Sequence, residues 1–155
     1  MNTRNEGMTC TCGREILAIS FPSSRETRSE AVGSVVGAIA GAGLSTVIDR
    51  RELHLVIDEA VTNAMEHGNG WDPAKKVTVV VSRTAGRLRM AIGDEGGGFR
   101  PEACALNTTA FKERGRGIPL IRYYCETAWS EKANVVILYF ALSENPTTSC
   151  APRTP

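Results

Sequence analysis

A carboxylate and an amide four residues apart are the first side chains in this sequence whose spacing suits chemistry. Glu59 and Asn63 lie in a segment whose apolar residues recur every three or four positions, which predicts an amphipathic helix with both side chains on one face. A carboxylate can accept a hydroxyl proton, and an amide oxygen can bind a hydrated divalent cation. Two solvent-exposed side chains would show the same spacing, so the helix alone leaves both interpretations open.

A glycine-rich stretch, DEGGGF at residues 94–99, follows directly after a predicted strand. Its glycines allow the backbone to bend tightly and to approach a flat or phosphorylated ligand. Asp94 would lie at the strand end beneath that ligand, where its carboxylate selects an amino group such as the exocyclic amine of adenine. The alternative is a simple acidic turn without a ligand.

A second glycine-rich stretch, GRGI at residues 115–118, leads into a helix that has Pro119 in its first turn. Free amide groups and the positive dipole end at such a helix start suit a phosphate, and Arg116 would add charge. An ordinary loop-to-helix junction explains the stretch equally well.

Hydrophobic periodicity predicts the elements that must position these groups. Alternating patterns indicate strands at residues 15–21, 76–83, 87–92, 127–130 and 134–142, with a hairpin between the second and third. Spacing of three and four indicates helices from residue 25 to 41 or 43, from 49 to 68, and from 118 onward. Asp49 and Glu52 form a capping box at the start of the long helix.

The glycines of the first helix have the wrong spacing for a dinucleotide-binding loop, and they follow a helix rather than a strand. Gly37, Gly41 and Gly43 are therefore interpreted as sites where this helix packs closely on a neighbour.

Composition predicts one soluble globular domain at residues 14–143, between a mobile leader at 1–13 and a disordered tail at 144–155. The chain has 155 residues, 42% hydrophobic content and a formal net charge of +1, so nothing favours binding to nucleic acid or an anionic membrane. The longest weakly polar run, residues 31–44, is too short to span a bilayer. Without an apolar signal core near residue 1, a cytoplasmic location is expected.

The five cysteines are an odd number, which argues against a disulfide framework. Cys10 and Cys12 have no Cys or His pair at zinc-ligand spacing further along the chain. Cys104 and Cys125 are interpreted as small apolar fillers.

In their order along the chain, EAVTNA (59–64), DEGGGF (94–99) and GRGI (115–118) resemble the N, G1 and G2 boxes of the GHKL ATPase superfamily, over about residues 15–142. DEAVTNA (58–64) followed by His67 and Gly68 is most similar to the anti-sigma-factor serine kinases. A sensor histidine kinase would need an upstream dimerisation helix with a phosphoacceptor histidine, whereas the histidines here are His54 and His67. The resemblance implies an α+β Bergerat fold, a two-layer sandwich of one helical layer, here of three helices, on a mixed, mostly antiparallel sheet.

The resemblance also implies roles for individual residues. Glu59 corresponds to the base that accepts the proton of a serine hydroxyl, Asn63 to the magnesium ligand that ties ATP to the helix, and Asp94 to the acceptor of the adenine amine. Gly96 and Gly98 correspond to the turn beside the adenine base. The phosphate-facing hinge of the lid corresponds to Gly115, Arg116 and Gly117. Ala133 and Asn134 stand where relatives commonly have a glycine-threonine turn before the last strand.

The activity that this family implies is an ATP- and magnesium-dependent transfer of phosphate to a serine of a STAS-type anti-anti-sigma partner. A sigma factor as sequestered target and a homodimer are further implications. The alternative is a non-catalytic, nucleotide-gated binding protein that controls a partner such as a phosphatase.

Overall fold

The computed structural model describes Met8, residues 13–98 and residues 117–143, which form five strands and three helices. The strands are β1 (Arg14–Pro22), β2 (Lys76–Thr84), β3 (Arg87–Gly93), β4 (Glu126–Trp129) and β5 (Val135–Ala141). The helices are α1 (Arg25–Gly41), α2 (Arg50–Asn63), which continues into a π-helical turn (Ala64–Gly68), and α3 (Gly117–Tyr124).

The strands form one sheet in the order β1-β2-β3-β5-β4. Every strand pair in the described part of the chain is antiparallel, so the α+β fold with one helical layer is confirmed, and its mostly antiparallel sheet is antiparallel throughout this part. The predicted hairpin joins β2 to β3, with Thr84 paired to Arg87 and a positive φ of 71° at Gly86.

The core lies between the sheet and the helices, because alternate strand residues point to the same face. Side chains of β2 and β3 meet those of α1 and α2 there, and the buried residues of these four elements include Val77, Val79, Val81, Leu88, Met90, Ile92, Val32, Val35, Val56, Ile57 and Val61. This packing fixes α2, which carries the first candidate site residues, over the middle of the sheet.

The opposite face of the sheet is closed by a second apolar cluster, in which Met8 packs with Val80, Ala91, Val135 and Ile137. Arg89 is buried on this face and donates a hydrogen bond to the Met8 carbonyl at 3.1 Å. Met8, a residue of the predicted mobile leader, therefore has a defined place on the sheet.

Helix α1 begins at the cap Ser24, whose hydroxyl accepts from the Thr27 amide at 3.3 Å. Its glycines are not packing sites, contrary to the interpretation from the sequence. A β-carbon at Gly37, Gly41 or Gly43 would meet nothing within 4 Å, because these residues lie on the exposed side of the element while its valines face the core.

Helix α2 begins with the predicted capping box, in which Asp49 accepts from the Glu52 amide at 2.8 Å and Glu52 accepts from the Asp49 amide at 2.9 Å. The α-helix was expected to continue to Gly68, but its last turn is π-helical. The Asn69 amide donates to the Ala64 carbonyl, five residues back, at 3.0 Å. This wider turn carries Gly68 to the end of β3.

Cys125 follows α3 and fills the edge of the core, as predicted. Its thiol donates to the Ile121 carbonyl at 3.3 Å, and burial raises its pKa to about 12. Cys104 lies outside the described residues. None of the described helices has the length and apolar character needed to cross a membrane.

Candidate functional site

The first turn of α3 lies against the polar face of α2. A β-carbon at Gly117 would lie 2.8 Å from Glu59 Oε2 and 3.1 Å from Asn63 Nδ2. Only glycine leaves both side chains undisturbed at this distance. Glu59 and Asn63 therefore meet the end of the second glycine stretch at one point, where the first residue of α3 lies against a carboxylate and an amide.

The surroundings of Glu59 favour its use as a proton acceptor. Burial, reinforced by the nearby Asp58 carboxylate, raises the pKa of Glu59 above its ordinary value, and Arg28 partly opposes this rise. Arg28 is itself held by Asp58, at 3.6 Å, and by the Thr62 hydroxyl, at 3.2 Å. A raised pKa makes a carboxylate a stronger base at neutral pH, provided that it remains ionised.

Asp94 leaves the end of β3 in a defined orientation. Its amide donates to the Asn134 carbonyl at 3.0 Å, and the Asn134 side-chain amide donates to the Asp94 carbonyl at 3.4 Å. Its Oδ1 accepts from the Gly96 amide at 2.8 Å, and burial raises the pKa of the carboxyl group despite this bond and the charge of Lys75. No described residue donates a hydrogen bond to Oδ2, which can therefore serve as an acceptor for a ligand.

Glycines allow the loop after β3 to touch the end of α2. A β-carbon at Gly68 would overlap the Asp94 carboxyl group, and one at Gly96 would overlap the Gly68 carbonyl oxygen. Asp94 therefore rests on the C-terminal end of the element that carries Glu59 and Asn63. Five residues of helix, roughly 6–8 Å along the axis, separate Asn63 from Gly68.

Gly98 has a different role from Gly96. Its φ of 90° is open to glycine alone, and a β-carbon there would overlap the Lys132 carbonyl in the turn between β4 and β5. The loop after β3 is thus held at one end by α2 and at the other by this turn, where Ala133 adopts a positive φ of 54°.

Six of the eight predicted site residues lie among the described residues. Glu59, Asn63 and Gly117 meet at one corner, Asp94 and Gly96 at a second corner at the end of the same helix, and Gly98 fixes the loop between that corner and the sheet. Gly115 and Arg116 lie outside the described residues, and their phosphate-facing role stays a prediction.

Two residues of the second corner, Gly68 and Asn69, are not among the predicted site residues. Gly68 was predicted as the end of the long helix and as part of the family resemblance, and Asn69 directly follows it. A signal was present, since a glycine followed by an asparagine at a helix end can combine close backbone approach with side-chain bonds to the main chain.

These residues fit an adenine nucleotide with magnesium. The acceptor oxygen of Asp94 suits a base with an amino group, and the amides at the start of α3 suit phosphate. Asn63 and Glu59 present oxygen atoms, the ligands that magnesium prefers. Because magnesium keeps several waters and substrate phosphates as ligands, one protein amide is enough to anchor it.

Comparison with known proteins gives one family match. No curated protein matches the sequence. The model of the family described as the histidine kinase-like ATPase domain matches residues 21–140, which include α2, the loop after β3 and α3. The match covers well over half of the chain and lies within the predicted domain. The chain therefore belongs to the histidine kinase-like ATPase domain family, within the GHKL superfamily.

Proposed function

We propose that this protein is a magnesium-dependent serine kinase that transfers the γ-phosphoryl group of ATP to a partner protein and thereby changes what that partner binds. The main support is the meeting of Glu59, Asn63 and the start of α3 at Gly117, with Asp94 at the end of the same helix. This arrangement offers a base, a metal ligand and a phosphate-binding helix start on one side of an adenine acceptor.

Asp94 accepts the exocyclic amine of adenine through Oδ2, while Gly68 and Gly96 let the loop after β3 pack closely enough on the helix end to hold Asp94 in place. Asn63 would hold the magnesium ion, which neutralises phosphate charge. Glu59 accepts the hydroxyl proton of the attacking serine while the serine oxygen bonds to the γ-phosphorus. The bond from that phosphorus to the β,γ-bridging oxygen breaks, and ADP leaves.

The partner follows from the resemblance of DEAVTNA and His67-Gly68 to anti-sigma-factor kinases. The phosphoacceptor is a serine of a STAS-type anti-anti-sigma protein, and a sigma factor is the target that the kinase sequesters. A homodimer is the expected assembly. These assignments extend the coarser property shared by the family, which is an ATP-binding domain.

Glu59→Gln tests the kinase proposal, because glutamine keeps the shape of the side chain but cannot act as the base. We expect unchanged affinity for magnesium-ATP and transfer to purified STAS-type proteins reduced by roughly 10²–10⁴-fold. Asn63→Ala is expected to lose magnesium-ATP binding as well. Glu30→Gln, an exposed carboxylate of α1, is the charge-matched control and should transfer at the wild-type rate.

Wild-type protein that binds ATP but phosphorylates no STAS-type partner would contradict the kinase proposal. That result would favour the nucleotide-gated switch, in which ATP or ADP decides whether a partner such as a phosphatase is held. Pull-down with ATP and with ADP, followed by phosphosite mapping, distinguishes the two functions.

A further inference from the structure

Asn69 joins three separate parts of the candidate site through hydrogen bonds to the main chain. Its side chain accepts from the Glu95 amide at 2.8 Å through Oδ1 and donates to the Lys76 carbonyl at 3.0 Å through Nδ2. Its own amide closes the π-helical turn on Ala64. With 3% of its surface exposed, Asn69 links the end of α2, the start of β2 and the loop after β3.

The chemistry of these bonds requires a primary amide. Both side-chain partners are main-chain groups of fixed polarity, so one atom must accept and the other must donate. Aspartate would lose the donor and repel the Lys76 carbonyl, and alanine would leave two partly buried groups without partners. The Glu95 carboxylate also accepts from the Lys76 amide, so the loop is tied to β2 twice.

These bonds act on the residue beside Asp94. Glu95 directly follows Asp94, and Asn69 directly follows Gly68, on which the Asp94 carboxyl group rests. We propose that Asn69 is a positioning residue for purine recognition, which holds Asp94 in the register that selects adenine over guanine. This inference rests on the proposed ATP site.

Directional hydrogen bonding explains why the position of Asp94 matters. Adenine has an amino group at the purine position where guanine has a carbonyl oxygen, so a fixed carboxylate attracts the first base and repels the second. A loop without the Asn69 bond would let Asp94 move. ATP would then lose the hydrogen bond from its amino group to Asp94, which GTP does not form. The preference for ATP over GTP would therefore fall.

Calorimetric titration of magnesium-ATP and magnesium-GTP tests this role. For Asn69→Ala we expect about tenfold weaker ATP binding, the equivalent of roughly one hydrogen bond, with GTP affinity little changed. Ser23→Ala is the matched control. Ser23 is fully buried and donates to the Met65 carbonyl in the same π-helical turn at 3.2 Å, but it makes no hydrogen bond to the described residues of the loop after β3. This control should lower the melting temperature and keep the wild-type ratio.

Asn69→Asp separates the two side-chain bonds, because it keeps the acceptor for the Glu95 amide and removes the donor to Lys76. We expect it to be destabilised but to prefer ATP more strongly than Asn69→Ala does. A wild-type ATP-to-GTP ratio in Asn69→Ala, with a melting temperature lowered as in Ser23→Ala, would overturn the proposal.

Amide hydrogen exchange of the wild-type protein gives a test that needs no variant to fold. Glu95 is exposed, yet its amide should exchange slowly because Asn69 holds it. Fast exchange at Glu95 would contradict the role of Asn69. If wild-type protein binds no adenine nucleotide, the proposed function itself is wrong. If it binds ATP but Asn69→Ala keeps the wild-type ratio of ATP to GTP affinity, only the role of Asn69 is wrong.

Discussion

The Asp94 carboxyl group occupies the space that a side chain at Gly68 would need. These two residues are far apart in sequence, and their contact sets the candidate adenine acceptor on the end of the helix that carries Glu59 and Asn63. The contact explains why residue 68 must be glycine although its backbone conformation does not require one.

Gly68→Ala should therefore displace Asp94. We expect ATP affinity to fall at least about tenfold and the free energy of unfolding to drop by about 1–3 kcal/mol through overpacking. Gly97→Ala is the control, since a β-carbon there meets nothing within 4 Å and Gly97 has no positive φ. Titration calorimetry and urea unfolding measure both effects, and equal ATP affinity in the two variants would argue against the site.

Gly117→Ala should impair phosphate transfer more than folding. The added carbon meets the ends of two flexible side chains, Glu59 and Asn63, which can move aside at small cost. We expect the transfer rate to fall by about 10–100-fold because the base is displaced, with a change of under about 1 kcal/mol in unfolding free energy. Steady-state transfer assays measure the rate, and thermal melts measure the stability. An unchanged transfer rate would show that the start of α3 takes no part in phosphate transfer.

Asp94→Asn should weaken ATP binding but stabilise the fold at neutral pH. Burial raises the pKa of Asp94, so its ionised form destabilises the fold at neutral pH, and this cost disappears as the pH falls below the ordinary pKa of an aspartate. At pH 7 the variant should be more stable by up to about 1 kcal/mol, a small gain because water screens the half-exposed group. Urea unfolding at pH 7 and near pH 3.5 should show the difference shrinking, while ATP binding at pH 7 is weakened.

Ala133→Gly should stabilise the turn between β4 and β5. Ala133 holds a φ of 54°, a conformation that costs alanine about 1 kcal/mol and glycine very little. We expect a gain of about 0.5–1 kcal/mol in unfolding free energy. The reverse change, Gly86→Ala at a φ of 71° with open space around it, should lose a similar amount. Two changes of the same sign would rule out backbone strain as the cause.

Gly37→Ala should stabilise α1, because the residue is exposed in the helix interior and an added carbon contacts nothing within 4 Å. The gain expected from helix propensity is about 0.5–1 kcal/mol. Chemical denaturation measures it. A loss of stability would instead revive the interpretation that this glycine packs on a neighbour.

The sequence was sufficient to predict the elements and the shared helix face of Glu59 and Asn63. The alternation in β2 and β3 and the three-and-four spacing in α2 are local patterns, and the capping box at Asp49 marks the helix start directly. Because Glu59 and Asn63 are four residues apart, predicting the helix was enough to place them on one face. The position of Gly117 beside them was expected from the resemblance of the three motifs to a known family.

The contacts that complete the second corner could not be predicted in this way. Glu95 binds a side chain 26 residues earlier, and Arg89 binds a carbonyl 81 residues earlier. Periodicity carries no information on such distant partners. The π-helical turn was missed for the same reason, because its extra residue is stabilised by bonds to Asn69 and Trp71 rather than by the composition of the turn itself.

Met8 gives the beginning of the chain a part in covering the sheet. With its neighbours Val80, Ala91 and Ile137 it covers the side of the sheet on which none of the described helices packs. Protein that lacks the first eight residues would expose these apolar side chains to water. We expect it to self-associate even if the candidate site residues are intact. The solubility of shortened versions will thus depend on a methionine that packs on the sheet face opposite α1 and α2.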